Sequence, residues 1–219
     1  HVFDWPADQW GPIRGYGNAR RVAYASAAEL ARTLELIVRE LGPDHLALLA
    51  NSLGAQVAVD AFSLLYANDD FSDMDVEFSQ VILTAPDINQ AQFNQQFRTE
   101  ITALADKLTV YVSSNDRALI VSRIISGETR AGESTLEPDQ FAEAVRLAGL
   151  VEPGDDLVTL VDVTPVNRTR NFHNFYVESP EFFDDLYLRL ATREPPLSRR
   201  LHRVVTPDQR AYWVLTRGR

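Results

Sequence analysis

Apolar and polar positions along the chain switch between two periods, and the switches mark out its elements. Leu30, Leu34, Ile37, Val38 and Leu41 recur at the spacing of one helical face, which predicts an amphipathic helix over 23–41 closed by Gly42-Pro43. Leu46 to Ala50 is a short apolar run of strand length. Helical spacing returns over 54–66, with Val57, Ala61, Leu64 and Leu65 expected inward. Further strands are predicted at 78–85, 108–112 and 157–163, and helices at 91–105, 118–125, 138–150 and 180–190. Val2 to Trp5 reads as the end of a strand stopped by Pro6. Loops are expected at 7–17, rich in aromatic residues and glycine, at the acidic stretch 69–75, and at 165–171, which holds Arg168 and Arg170. Regular alternation of strand and helix predicts an α/β fold with a doubly wound, mostly parallel sheet covered on both faces.

Composition narrows the classes. A chain of 219 residues, 45% of them hydrophobic, is long enough for one domain with a sizeable core. A net charge of −10 argues against nucleic acid as a partner for the body of the protein. No apolar run is long enough for a transmembrane segment. Without cysteine, neither disulfide nor thiolate chemistry is open to the chain, and that leaves its compartment undetermined. No cofactor or metal motif stands out, and the acidic stretch 69–75 reads as a solvated turn. After residue 192 the composition shifts: Pro195-Pro196 is followed by an arginine-rich stretch with few acids. The expected organisation is therefore a core over 1–192 and a basic C-terminal arm over 193–219, docked on its own acidic domain.

In such sheets ligands bind beyond the C-terminal ends of the strands. The polar residues that follow predicted strands are Ser52, Asp87, Asp116 and His173. Ser52 lies in Ala50-Asn51-Ser52-Leu53-Gly54, between a strand and a helix. That is the layout of a nucleophile elbow, G-x-S-x-G, with alanine in place of the first glycine. A serine here also reads as an ordinary helix N-cap. A serine nucleophile needs a base to take its proton and a carboxylate to orient the base, and the order Ser, Asp, His suits this fold. Among the histidines, His45 opens the strand that Ser52 follows, about 20 Å away at the wrong end. His1 falls on the same wrong edge and His202 in the basic arm, which leaves His173 as the base. Asp116, after the last strand but one, is the first choice of acid, and Asp87 is the alternative.

These stretches, with Val81-Ile82-Leu83-Thr84-Ala85-Pro86-Asp87-Ile88, Ser113-Ser114-Asn115-Asp116-Arg117-Ala118-Leu119, Arg130-Ala131-Gly132 and His173-Asn174-Phe175-Tyr176, resemble the bacterial alpha/beta hydrolases of unknown function. The resemblance covers most of residues 2–190 and implies Ser52 as nucleophile, Asp116 as acid and His173 as base. The Leu53 N–H would then be one oxyanion donor. The family usually has histidine where this chain has Asn51. Its first sheet strands, and a His-Gly loop supplying the second oxyanion donor, are absent from these residues. The resemblance therefore implies the C-terminal portion of an α/β-hydrolase fold, its sheet completed by a preceding segment or a partner. The expected activity is esterase-like hydrolysis of a small acyl substrate without a cofactor. The alternative is a non-catalytic binding or scaffold domain on the same fold.

Overall fold

In a computed structural model of the chain, residues 1–6, 16–42, 45–72, 74, 76–88, 92–113, 158–168, 174–192, 196, 199–205, 209 and 211–217 are described. Helix α1 (Tyr16–Leu41) leads into strand β1 (Leu46–Asn51), helix α2 (Gly54–Tyr66) and the single turn α3 (Asp69–Ser72). Strand β2 (Phe78–Thr84) is followed by a π-helical segment (Phe93–Phe97) that runs into α4 (Arg98–Leu104), then by β3 (Leu108–Val112). After β4 (Val158–Asp162) come α5 (Phe175–Glu178), α6 (Pro180–Ala191), β5 (Leu201–Val205) and β6 (Ala211–Leu215).

The strands form one six-stranded sheet in the order β1-β2-β3-β4-β6-β5. All neighbours are parallel except β5, which pairs antiparallel with β6. Alternate side chains separate two cores. Val81, Leu83, Leu108, Val110, Val112, Val158 and Leu160 belong to the core shared with α1 and α2. Ile82, Tyr111 and Val161 point the other way, into a core with Phe175 and Phe182. This period of two, with apolar residues on both faces, is what a doubly wound parallel sheet requires. Phe62, Phe78 and Phe97 meet on the first face, with ring centroids 4.8 Å and 6.1 Å from Phe62. On the second face Phe182 meets Tyr111 and Phe175, at 5.0 Å and 5.6 Å.

Several elements depart from the pattern read in the sequence. Residues 1–6 form no strand; Phe3 and Trp5 pack against the first core from irregular backbone. Helix α1 begins at Tyr16, inside the expected loop, because Ala19, Ala23 and Ala27 continue its buried stripe toward the N-terminus. Leu41 and Leu64, expected inward, are 63% and 46% exposed, and Phe62 takes the inner position on α2. The acidic stretch contains the turn α3, anchored by the buried Phe71. The helix expected over 91–105 opens in the wider π form, which brings Phe93 and Phe97 together into the core. The helices expected at 118–125 and 138–150 lie outside the described residues.

The stretch expected to be a peripheral arm supplies β5 and β6. Strand β6 lies against β4, with Val161 opposite Trp213 and Asp162 opposite Val214. Apolar residues in both strands, Leu201, Val204, Tyr212 and Val214 among them, explain why the stretch enters the sheet in spite of its arginines. Docking continues through buried polar groups. Arg199 is fully buried, and one of its terminal nitrogens lies 3.5 Å from Asp185 Oδ2 on α6. The same oxygen accepts a 2.5 Å hydrogen bond from the Tyr111 hydroxyl. Beside them, Arg189 Nε donates to Gln80 Oε1 at 2.8 Å.

Candidate active site

The parallel register puts the strand exits on one rim. Asn51 is opposite Thr84, Thr84 opposite Tyr111, Val112 opposite Asp162, and Asp162 opposite Val214. Ser52 follows β1 directly and has φ of 51°, the left-handed region that an L-residue enters only when held there. The restraints are visible. The Ser52 N–H donates to the Thr84 carbonyl at 2.9 Å, and the Ser52 carbonyl accepts from the N–H groups of Ala55 at 3.0 Å and Asp87 at 3.1 Å. The Thr84 hydroxyl donates to Asn51 Oδ1 at 2.9 Å. The chain thus reverses in a single residue between β1 and α2, and the turn is tied to the exit of β2.

Leu53 follows with φ of −65° and ψ of −20°, so α2 starts at once. Its N–H has no backbone acceptor among the described residues, as is ordinary at a helix N-terminus. A Cβ added at Gly54 would lie 3.8 Å from Trp5 Nε1, an ordinary contact distance. The Trp5 indole therefore borders the turn, and the site has room for alanine at Gly54.

The structure brings Ser52, Leu53 and Asp87 together. Asp87 is buried, and its N–H binds the Ser52 carbonyl. Asp116 and His173 lie outside the described residues. Among the described residues, no group of three or more histidine, aspartate or glutamate side chains could hold a metal ion.

Residues missed in the sequence fix the neighbouring exits. Asp162 ends β4 and accepts from both the N–H (2.8 Å) and the hydroxyl (2.5 Å) of Thr164. Burial raises its carboxyl pKa, against the lowering effect of those two bonds. The Tyr212 hydroxyl pKa is raised by its own burial first and by the Asp162 charge second. Val163 accepts from the N–H groups of Val166 and Asn167, which closes a tight turn. Asn167 Nδ2 then donates to Ser113 Oγ at 2.8 Å. The run Asp162-Val163-Thr164 is the usual side-chain turn pattern and could have signalled the first of these bonds. Nothing local in the sequence signals the second.

A family model for alpha/beta hydrolases of unknown function matches residues 1–191. The chain belongs to that family. The mostly parallel sheet covered on both faces is consistent with an alpha/beta hydrolase fold. The family match stops before β5 and β6, so the hairpin extends this alpha/beta hydrolase sheet past the matched region. No curated protein and no solved structure matches the chain.

Proposed function

We propose that this alpha/beta hydrolase is a serine hydrolase of ester-like acyl compounds, with Ser52 as nucleophile, His173 as base and Asp116 as acid. His173 takes the Ser52 proton as Oγ attacks the carbonyl carbon, and Asp116 orients the imidazole and stabilises its charged form. The oxygen anion of the tetrahedral intermediate is met by the Leu53 N–H. When the intermediate collapses, the carbon–oxygen bond to the leaving group breaks and His173 returns the proton to the departing alcohol. Water, deprotonated by His173, then attacks the acyl-serine and releases the acid and Ser52. The observation that carries this reading is Ser52 itself: a non-glycine residue in left-handed backbone between a strand and a helix, at the ligand-binding rim.

A second assignment of the acid has its own support. Asp87 is buried beside the elbow, joined through its N–H to the Ser52 carbonyl. Two experiments test the reading. A fluorophosphonate probe should label Ser52, and turnover of a p-nitrophenyl ester panel should fall about 10⁴-fold or more in Ser52→Ala. A folded chain that is neither labelled nor active points instead to a binding or scaffold domain. Comparing Asp116→Asn with Asp87→Asn identifies the acid, since the true partner of His173 is the one whose loss collapses kcat.

A further inference from the structure

The last residue of β2 holds the chain on the entry side of the proposed nucleophile. Thr84 stands opposite Asn51 in the parallel register and is fully buried. Its carbonyl accepts from the Ser52 N–H at 2.9 Å. Its hydroxyl donates to Asn51 Oδ1 at 2.9 Å, and the same hydroxyl oxygen lies 3.5 Å from the Ala50 carbonyl oxygen. Thr84 thus grips both the side chain before the Asn51–Ser52 peptide bond and the N–H of that bond. The far side of Ser52 is held from the same strand exit. Its carbonyl accepts from the Asp87 N–H at 3.1 Å, as well as from the Ala55 N–H at 3.0 Å. Between Thr84 and Asp87, Ala85 takes left-handed backbone at φ of 44°, with its own N–H on the Tyr111 carbonyl at 2.9 Å.

Peptide units are planar, so fixing the two that flank a residue fixes its φ and ψ, and with them the direction of its Cα–Cβ bond. For Ser52 that direction aims Oγ. At φ of 51° the residue sits in a region that an L-residue keeps only under restraint. Most of the restraints named above are backbone groups, which any sequence would supply. The Thr84 hydroxyl and the Asn51 amide oxygen are the side-chain atoms among them. We infer that Thr84 is a positioning residue for the nucleophile: through Asn51, its hydroxyl keeps the Ser52 peptide in the orientation from which Oγ attacks. The inference rests on Ser52 being the nucleophile, as proposed above. Thr84 takes no proton and touches no substrate; it acts through Ser52. A misplacement of about 1 Å between reacting groups is enough to cost about a hundredfold in rate.

Thr84→Val keeps the shape and the backbone carbonyl but removes the hydroxyl, whereas Thr84→Ser keeps the hydroxyl. Both are made in the whole chain, with circular dichroism and urea unfolding reporting the fold. Thr84→Val should lower kcat on p-nitrophenyl esters, and the rate of fluorophosphonate labelling at Ser52, by about 10- to 100-fold with KM nearly unchanged. Thr84→Ser should recover most of both rates. The pH profile of kcat/KM should keep its shape in both variants, because neither change adds or removes an ionisable group. A role in folding alone would lower the urea midpoint of Thr84→Val and leave both rates at the parent value; that result overturns the positioning role while Ser52 stands. So does a Thr84→Ser variant as slow as Thr84→Val, since the hydroxyl would then not be what holds Ser52. A displaced pH profile moves the effect from Ser52 to the base or acid and overturns the role as well. If Ser52 is not labelled in the unaltered chain, the nucleophile falls and takes the positioning role with it. If Thr84→Val does not fold, Thr84→Cys, whose thiol is a weaker donor, should still slow labelling, and labelling at the parent rate overturns the role.

Discussion

Ser52 and Ala85 both hold left-handed backbone, at φ of 51° and 44°, directly after the adjacent strands β1 and β2. Each is pinned by the next strand: the Ser52 N–H reaches the Thr84 carbonyl, and the Ala85 N–H reaches the Tyr111 carbonyl at 2.9 Å. Left-handed backbone costs an L-residue about 1–2 kcal/mol, which glycine escapes in return for about 0.5–1 kcal/mol of extra chain entropy. Ser52→Gly should therefore stabilise the fold by about 0.5–1 kcal/mol while abolishing labelling, a result that urea unfolding and a fluorophosphonate assay read together. Asn51→Ala acts in the opposite direction. It strips the fully buried Thr84 hydroxyl of the acceptor at 2.9 Å and should cost about 1–3 kcal/mol by the same unfolding assay. The sharp turn at Ser52 was legible in the sequence because small residues flank a serine between strand and helix patterns, a string that suits a helix N-cap equally well. The pairing of Asn51 with Thr84 was not, because a polar side chain in a strand gives no sign of which neighbour it will face.

At the scale of elements, apolar spacing identified β3 and α2 closely, since each is largely buried, and β1 as well, although its residues are only half-buried or exposed. It failed where small or aromatic residues did the burying. Ala19, Ala23 and Ala27 repeat every four residues, but exposed alanines beside them blur the stripe, and Phe93 and Phe97 are a single pair too short to set a period. The end of α1 is simpler. Gly42 has φ of +49° and its N–H closes the helix on the Val38 carbonyl at 3.0 Å, with open space where a Cβ would sit. Gly42→Ala should therefore lose about 1 kcal/mol through backbone strain alone, measurable as a lower urea midpoint with an unchanged slope. The join between α6 and the C-terminal hairpin makes a sharper contrast. Arg199 is buried against Asp185 with no hydrogen bond to its guanidinium nitrogens among the described residues. The nearby Arg189 pKa is pushed down to about 10, chiefly by its own burial. Removing one member of a buried pair leaves the other charge stranded, so Arg199→Ala should cost about 3–5 kcal/mol. The double variant Arg199→Met with Asp185→Asn, which removes both charges and keeps an acceptor for the Tyr111 hydroxyl, should recover most of that loss in the same assay.

Across the whole molecule, stability should depend on pH through buried acids. Burial raises the carboxyl pKa of Asp60, Asp162 and Asp185 from an ordinary value of 3.8, in each case as the largest cause. A carboxyl whose pKa is higher when folded holds its proton more tightly in the native state. Between the unfolded value and the raised one, the native state therefore binds more protons, and stability falls as pH rises. From these three groups, the folded state should be favoured below about pH 4 and lose ground through the window above it. Normally ionised carboxylates act in the opposite sense at the acid end. Asp162→Asn should flatten the three-acid component, seen as a smaller drop in urea midpoint between pH 4 and pH 7. The sequence showed a two-faced parallel sheet because its strands are apolar along most of their length. It did not show that residues 201–215 join that sheet, since a stretch with Arg199, Arg200, Arg203 and Arg210 looks like a solvated tail until the partner strand is known.

Strand β6 lies inside the sheet, between β4 and β5, yet it is the last of the described strands to leave the ribosome. Until residue 215 is free of the exit tunnel, β4 offers a bare hydrogen-bonding edge, and the second core lacks Leu201 and Leu215. Translation should therefore hold this sheet in an unfinished, adhesive form until residue 215 has emerged, however early the turn at Ser52 takes shape. Chaperone capture during synthesis would fall on that edge, and chains stalled before the hairpin emerges would be the ones retained.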